Sequence, residues 1–537
     1  MIRKLEINLE NFTLRVSKIF FGAITGIILL FLFFFETVDY SCKKVFGLPD
    51  KLMIITAVII FAAAYVAVEY IKNHTAFRKA VSFDTDKAIK IAVLCLFAIQ
   101  VYISYNILFE TDWDAGIILY SVRGFLAGDG LDEFRQWYFS LYPNNLMLLF
   151  YELLVLKINS VFGIFIGQQQ LMCMVIINCA LSSSACYLVY KIAILYVKRL
   201  YATLGFVLAV LSFGLSPWMV ICYSDQLGII FPILSIYFFT KPVSSVYKRT
   251  VCLCLSVMIS CVGYFIKPQC FIILIAIAIV EVLKLFCKNE RKEWKRILIV
   301  LLSIVFTFLT VRTGLNLASD KYNIHLEPEA KFGMSHFFAM GLNPNERGTY
   351  SQEDVDFSAS IPTVKERNSA NIKKALNRIN NMGFKGLVRY YIGKTLTIYN
   401  DGTFAWRCEG TFFANVFETP NLKAAPFLRN IYCTDSKSEM VVTTVQQFVW
   451  IVILLLSFAS VFAKHKNVKG LELAVLMISI VGLTLFELLF EARARYLYIY
   501  VPIFCVLAAV GAGNMHFLFD KIFRKSQSGE LPAAERS

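Results

Sequence analysis

The sequence predicts an all-α polytopic membrane protein, and three observations carry this prediction. The 537 residues are 58% hydrophobic and 15% aromatic, with a mean hydropathy of +0.62, which is more apolar surface than a soluble globular protein buries. Apolar runs of bilayer-spanning length recur along the chain. The net charge of +15 comes from short basic clusters between those runs, a pattern that orients membrane helices and argues against nucleic-acid binding.

We predict about twelve transmembrane helices, because that number of runs has the length that a bilayer requires. The first run is too long for the core of a signal peptide and lacks a small-residue cleavage site after it, so we expect it to be retained as a helix. The runs lie at about residues 19–38, 51–71, 90–109, 169–190, 202–221, 226–240, 250–266, 268–287, 296–314, 446–463, 470–489 and 496–516.

The distribution of basic residues predicts which loops face the cytoplasm. Clusters such as "KNHTAFRKA" and "CKNERKEWKR" fall in alternate loops, which the positive-inside rule makes cytoplasmic. Counting "PNNLMLLFYELLVLKINSVFG" as a span would break this alternation, and that run carries Glu152 and Lys157. We therefore predict a juxtamembrane or re-entrant helix there, on the outer face. Both termini are then cytoplasmic, and the acidic and basic motifs at the other helix ends face outward together.

The predicted organisation has four parts. Residues 1–314 form an N-terminal bundle whose first outer loop, 110–145, carries candidate catalytic residues; 315–445 form a small extracytoplasmic mixed domain or ordered loops; 446–516 form the C-terminal helices; and 517–537 form a cytoplasmic tail. Most of the 14 cysteines lie in apolar runs, where a thiol acts as a small hydrophobe. Cys408 and Cys433 lie in the polar segment, where a disulfide between them is one alternative.

The first outer loop supplies the acidic candidates. Asp112 and Asp114 of "ETDWDAGIILY" follow an apolar run, where a carboxylate next to low dielectric titrates high or meets a cation; the alternative is a hydrated helix end. Tyr142, Asn144 and Asn145 of "SLYPNNLML" offer hydrogen-bond donors and acceptors suited to a sugar, or form a Pro-Asn turn that starts the next helix. The sequence predicts no metal site with structural-zinc spacing.

Two later motifs supply the basic candidates. Lys267 of "FIKPQ" lies between apolar runs and either binds a ligand or snorkels to headgroups. Glu491, Arg493 and Arg495 of "FEARARYLYIY" form a charged patch on the outer side, where the orientation rule disfavours arginine. Arginine can hold a phosphate bidentately, so we predict a phosphate site; the alternative is an intramolecular Glu–Arg pair.

The last motif lies in the polar segment. "NDGTFAWRCEGTFF" contains Asp401 and Trp406, a polar and aromatic mixture that suits sugar stacking and also suits a folded loop. The order of all these motifs resembles the membrane glycosyltransferases of the GT-C fold, in particular the bacterial branch related to protein mannosyltransferases (glycosyltransferase family 39). The resemblance rests on "TDWDAG", "YPNN", "YFIKP", "MGLNPNERGTYSQED", "NDGTFAW" and "FEARARYLYIYVP", and it covers the chain from about residue 90 onward.

This resemblance implies an inverting hexosyltransferase. It would move a sugar from a polyprenyl-phosphate donor to a glycan, wall polymer or protein acceptor on the outer face of the plasma membrane, without a cofactor. The family's frequent Asp-Glu pair reads here as Asp112-Trp113-Asp114, so Asp114 is the first candidate for the general base and Asp112 the second. A polyprenyl phosphate leaves as a stable anion and needs no general acid, whereas cations must offset its charge.

The resemblance also implies a role for each remaining candidate residue. The donor phosphate is assigned to Arg493, Arg495 and Lys267. The sugar is assigned to the substrate-binding set Tyr142, Asn144, Asn145, Glu491, Asp401 and Trp406. A divalent metal at the two aspartates is not indicated, because hard cations take more oxygen ligands than this motif offers.

A transporter or flippase for lipid-linked sugars is the alternative function. Such a protein would place ionisable groups near mid-membrane, and few appear, since Glu281 and Glu487 lie near predicted helix ends. A catalytically silent scaffold would leave the outward arginines unexplained.

Overall fold

The fold is almost wholly helical, as the sequence predicts. The structure, a computed structural model, describes residues 2–35, 47–73, 84–287, 291–406, 415–417, 424–433, 436–462 and 470–527. Its helices are α1 (Ile2–Phe34), α2 (Asp50–Asn73), α3 (Thr85–Asn106), α4 (Trp113–Ala127), α5 (Glu133–Leu141), α6 (Leu146–Phe162), α7 (Met172–Ala193), α8 (Arg199–Ala209), α9 (Ser224–Gly228), α10 (Ile230–Thr240), α11 (Val246–Ile266), α12 (Phe271–Cys287), α13 (Arg291–Lys321), α14 (Met334–Gly341), α15 (Gln352–Ala359), α16 (Val364–Tyr399), α17 (Ala424–Tyr432), α18 (Lys437–Ala459), α19 (Gly470–Leu489) and α20 (Val501–Gln527). Two short strands, β1 (Phe109–Glu110) and β2 (Asn415–Val416), form an antiparallel pair.

Within the described ranges, nine helical stretches are long and apolar enough to cross a bilayer. The predicted runs at 202–221 and 226–240 instead give shorter apolar helices, over Arg199–Gly214 and Ser224–Thr240. The first of these ends because Pro217 follows and cannot continue a helix. The nine long stretches are Asn11–Phe34, Thr85–Asn106, Pro143–Phe162, Gly167–Ala193, Val246–Ile266, Trp294–Lys321, Lys437–Phe462, Gly470–Leu489 and Ala494–Met515.

Helices α3 and α7 lie antiparallel and define the two ends of the bundle. The Tyr190 hydroxyl, near the end of α7, donates to Asp86 Oδ1 at the start of α3, with 2.5 Å between the oxygens. Ser104, near the end of α3, lies 3.7 Å from Cys179 in the first half of α7 (Oγ to Sγ). The end of α3 and the start of α7 therefore share one end of the bundle. We name it the Asp114 end, because Asp114 follows α3.

Helix α6 begins and ends at the Asp114 end. At its start, Asn145 Nδ2 donates to the hydroxyl of Tyr138 at 2.6 Å. At its end, Cys173 Sγ, from the start of α7, donates to Asn159 Oδ1 at 3.0 Å. Length and composition alone would let this helix span a bilayer. Its contacts place both of its ends at the Asp114 end, and the juxtamembrane or re-entrant helix on the outer face stays a prediction.

Two long helices extend into the predicted polar segment, 315–445. Helix α13 continues past the predicted boundary at residue 314 to Lys321, and α18 begins at Lys437, before the predicted boundary at 446. Inside the segment, Gly383 interrupts α16 with a φ of 58°, a conformation that glycine adopts without strain. The buried guanidinium of Arg367 donates to backbone carbonyls of residues 329–331, 358 and 361 and so ties the segment together. The Cys408–Cys433 alternative lies outside the described residues, since Cys408 is not among them.

Candidate functional site

The turn between α3 and α4 sets the position of the two candidate aspartates. Trp113 has a φ of 47°, a left-handed conformation that is strained for an aromatic residue. Gly116 approaches the Thr111 carbonyl so closely that an added Cβ would lie 2.7 Å from the oxygen. Asp112 is exposed and precedes the helix, whereas Asp114 lies in its first turn and is half-buried. The helix N-terminus favours a negative charge at Asp114.

Two phenols hold the Asp114 carboxylate. Tyr138 of α5 donates its hydroxyl to Oδ1 at 2.9 Å, and Tyr223 donates to Oδ2 at 3.1 Å. Asn145, predicted to contact a sugar, is buried and donates instead to Tyr138. Asn144 is exposed and donates to Asn145 Oδ1 at 3.1 Å. Asn145 therefore supports the carboxylate indirectly, through Tyr138.

The phenols around Asp114 remain protonated. Burial, followed by the negative charge of Asp114, raises the pKa of Tyr138 and of Tyr223 well above the ordinary value for tyrosine. The same two causes, in the same order, raise the pKa of Tyr142 and of Tyr350. These hydroxyls are therefore protonated at neutral pH, and those of Tyr138 and Tyr223 donate to Asp114.

Arg495 lies against three aromatic rings, one of which belongs to Tyr223. Its guanidinium carbon is 5.0 Å from the ring centroid of Trp113, 5.5 Å from that of Tyr223 and 5.4 Å from that of Tyr496. Such contacts stabilise a buried cation. Tyr223 therefore contacts both charges, with its hydroxyl on Asp114 and its ring against Arg495.

Lys267 is buried in an ion pair with Asp225. Its ammonium also lies 4.9 Å from the ring centroid of Tyr496. Burial lowers the pKa of Lys267, Asp225 raises it and the nearby charge of Arg495 lowers it. Lys267 does not snorkel to headgroups, and Asp225 balances its charge. Of the three predicted phosphate ligands, Lys267 is the one with a buried counter-ion.

The charged residues of the "FEARAR" motif have two different sets of neighbours. Glu491 accepts a hydrogen bond from the Tyr496 hydroxyl at 3.0 Å, and Arg493 Nε lies 3.8 Å from the same carboxylate oxygen. Arg493 thus forms the intramolecular pair that the sequence left as an alternative. Arg495 lies with the aromatic rings described above.

Asp401 and Trp406, which the resemblance assigns to the sugar, lie inside the protein. Both are fully buried. Asp401 accepts bonds from the backbone N–H of Thr403 and of Ala405 and from the Thr403 hydroxyl, and Trp406 Nε1 donates to Gln446 Oε1 at 3.1 Å. The carboxylate is used to close a tight turn, so the folded-loop alternative describes these two residues and we do not retain them as sugar ligands.

The sequence did not single out Tyr138, Tyr223 or Asp225. Tyr138 and Tyr223 are single tyrosines beside apolar stretches, a pattern typical of interfacial residues. Asp225 lies in "CYSDQ", and the sequence predicted for this stretch only that it faces outward. The third acid of "ETDWD", Glu110, forms an ion pair with Arg123 and lies outside the cluster around Asp114. Within the described ranges, no group of three or more His, Cys, Asp and Glu side chains is placed to hold a metal ion.

Comparisons with known proteins give one family match. A family model described as "Conserved hypothetical integral membrane protein" matches residues 9–515, and a search of curated proteins gives no match. Among solved structures, the chain is similar to the archaeal oligosaccharyltransferase AglB from Archaeoglobus fulgidus, solved with an inhibitory peptide and a dolichol-phosphate, at 14% identity and a TM-score of 0.32. That match covers 83% of this chain and 53% of AglB, so the chain spans about half of that protein. It is also similar to ArnT from Cupriavidus metallidurans in the apo state, at 11% identity and a TM-score of 0.30, covering 83% of this chain and 81% of ArnT.

Proposed function

We propose that this chain, which belongs to the conserved hypothetical integral membrane protein family, is an inverting membrane glycosyltransferase that uses a polyprenyl-phosphate sugar. The motif order from "TDWDAG" to "FEARARYLYIYVP" supports this proposal by its resemblance to GT-C enzymes. The observation that carries it is the junction at Tyr223, which contacts the carboxylate of Asp114 and the guanidinium of Arg495. A base and a phosphate ligand side by side are what this transfer requires.

The reaction follows from these two charges. Asp114 accepts the proton of the acceptor hydroxyl, whose oxygen attacks the anomeric carbon. The bond from that carbon to the phosphate oxygen breaks, and the polyprenyl phosphate leaves as an anion, with inversion at the sugar. Arg495 offsets the charge that develops on the leaving phosphate. Because that anion is stable, one carboxylate suffices, unlike the pair that a glycosidase needs.

We place Asp114 ahead of Asp112 as the base. Asp114 has defined donors on both carboxylate oxygens and is linked to Arg495 through Tyr223, whereas Asp112 is exposed at the helix start. Tyr142 remains a proposed sugar contact because its ring centroid lies 5.3 Å from that of Tyr138. Glu491 remains one because it accepts a hydrogen bond from Tyr496, whose ring lies against Arg495. Arg493 is a second proposed phosphate contact.

The proposed setting is the outer face of the plasma membrane. The acceptor would be a glycan, a wall polymer or a protein, and the lipid tail of the donor would lie among apolar helices. The transporter alternative receives less support. Glu281 is paired with Lys284 and Arg296, each at 2.7 Å, and Glu487 lies two residues before the end of α19. Neither position is that of a mid-membrane substrate ligand.

An assay with purified protein tests the proposal. The protein is incubated with a panel of polyprenyl-phosphate sugars and acceptors, and transfer is measured for wild type, Asp114→Asn and Asp112→Asn. We expect Asp114→Asn to lose about 10²-fold or more in kcat, because an amide cannot accept the proton. Asp112→Asn is the matched control and should retain most of the activity. Full turnover by Asp114→Asn would exclude this carboxylate as the base.

A further inference from the structure

We propose that Tyr223 is a positioning residue for both halves of the site, because its hydroxyl fixes the Asp114 carboxylate and its ring supports the Arg495 guanidinium. The assignment rests on the proposed function for its catalytic meaning. Tyr223 belongs to neither the acidic nor the basic motif. It lies in the short connection before α9, where its hydroxyl is 3.1 Å from Asp114 Oδ2 and its ring centroid 5.5 Å from the Arg495 guanidinium carbon.

The connection that carries Tyr223 is itself held in place. Asn178 of α7 donates through its side-chain amide to the carbonyls of Met219 and Ile221, each at 3.2 Å. The backbone N–H of Tyr223 donates to Ile221 O at 3.0 Å. The Tyr223 ring meets that of Trp113 edge-on, with 4.6 Å between centroids. These contacts leave the phenol little freedom to swing away from Asp114, as a positioning role requires.

The two phenols on Asp114 act from different elements. Tyr138 reaches Oδ1 from α5, and Tyr223 reaches Oδ2 from the connection before α9. Besides burial, the charge of Asp114 also contributes to the raised pKa of Tyr142 and of Tyr350, and the Arg495 guanidinium carbon lies 5.5 Å from the centroid of the Tyr223 ring. A hydroxyl that donates to a carboxylate oxygen changes the frequencies of the carboxylate stretching bands. Without the Tyr223 hydroxyl, Asp114 loses the donor on Oδ2 and keeps the Tyr138 donor on Oδ1.

Two substitutions separate the hydroxyl from the ring. Tyr223→Phe keeps the ring and removes the donor, whereas Tyr223→Leu removes both. Infrared difference spectra at fixed pH, with Asp114→Asn as reference, should show the carboxylate stretching bands of Asp114 displaced from their wild-type frequencies in both variants, because both lack the donor on Oδ2. Binding of a polyprenyl monophosphate in detergent micelles should be retained in Tyr223→Phe and weakened about 3- to 30-fold in Tyr223→Leu, because only the second loses a ring beside Arg495.

Two further variants guard against a general effect on folding. Tyr138→Phe removes the other donor and should also displace the carboxylate bands of Asp114. Tyr496→Phe removes a hydroxyl that donates to Glu491 and keeps a ring beside Arg495, so the Asp114 bands should stay at their wild-type frequencies. Unchanged Asp114 bands in Tyr223→Phe overturn the assignment, as does equal loss of phosphate binding in both Tyr223 variants. Both measurements are made without turnover, so inactivity towards every sugar donor would count against the proposed function alone.

Discussion

At the turn into α4, one strained residue separates two acids with different surroundings. Trp113 adopts a left-handed backbone conformation, which costs about 1–3 kcal/mol and persists only where the surroundings impose it. Its ring packs against Tyr223 and the Arg495 guanidinium, contacts that help to hold it. The strain directs Asp114 toward the phenols and leaves Asp112 exposed. Residue geometry therefore distinguishes two carboxylates that differ little in sequence.

A buried histidine in the polar segment gives a pH-dependent prediction. His336 stacks on Phe332 with 4.1 Å between centroids, and its Nδ1 lies 2.7 Å from Ser358 Oγ. Burial lowers the pKa of His336 from 6.5 to about 4. Between these values the unfolded chain binds a proton that the folded chain does not, so stability is full above pH 6.5 and falls as the pH drops toward 4.

The matched variant is His336→Gln, which cannot titrate. Its thermal unfolding midpoint should fall less between pH 7 and pH 4.5 than that of wild type, when both are measured in detergent. Equal pH dependence in the two proteins would show that this imidazole does not contribute to acid sensitivity.

For single residues, the sequence identified Asp114, Lys267 and Arg495 and missed the side chains that contact them, Tyr138, Tyr223 and Asp225. Asp114, Lys267 and Arg495 stand out because ionisable groups are rare beside apolar runs. Tyr138 and Tyr223 do not, since a tyrosine at a membrane interface needs no special explanation. Which hydroxyl reaches a given carboxylate depends on packing between elements far apart in sequence, and no local pattern records that.

Among the elements, α14 and α16 fix the segment that leads to Arg495. Tyr390 and Lys394 of α16 both donate to the carbonyl of Gly341, and Lys394 also donates to Phe490 O at 2.7 Å. The backbone of residue 492 donates to Gly348 O at 2.8 Å. One side-chain and one backbone hydrogen bond therefore join the polar segment to the stretch between α19 and α20.

Gly341 is where this contact is closest. A Cβ at this position would meet the backbone of Phe490, with its Cα at 2.7 Å. Because backbone cannot move aside cheaply, Gly341→Ala should destabilise the protein by about 1–3 kcal/mol and displace the segment that carries Arg495. We expect a lower thermal midpoint and weaker binding of a polyprenyl monophosphate.

Gly314→Ala, in α13, is the matched control. No atom lies within 4 Å of a Cβ added there, so this variant should equal or slightly exceed wild type in stability. A Gly341→Ala protein as stable as this control would mean that the close contact is not a constraint on the fold.

The helices themselves were largely predictable, because each apolar run must satisfy its backbone hydrogen bonds internally in lipid. The exceptions have local causes. Helix α13 extends seven residues past its predicted end at 314, because the polar residues that follow the apolar run still suit a helix. The run at 202–221 is cut short by Pro217. Hydropathy reports burial in lipid and does not report where a helix stops once it has left the lipid.

For the whole molecule, the residues of the candidate site gather at one end of the bundle, and orientation in the membrane decides which compartment they face. We expect the polar segment to be outside. A membrane-impermeant maleimide added to intact cells should label Glu353→Cys, whose side chain is 71% exposed. It should not label Tyr247→Cys, which is 76% exposed at the start of α11, at the opposite end. Both should react after permeabilisation, above the background of the parent chain. The reverse pattern would contradict an outward site.

The Tyr223 junction also has a consequence for biosynthesis. Asp114 and its two phenols are synthesised early, whereas Arg495 lies near the far end of the sequence. A chain that emerges from the ribosome in order folds its first part first. The contacts between Asp114 and its two phenols can then form while Arg495 is still untranslated. Under the proposed function, a chain truncated before Arg495 would reach the membrane without its proposed phosphate ligand and would not transfer the sugar.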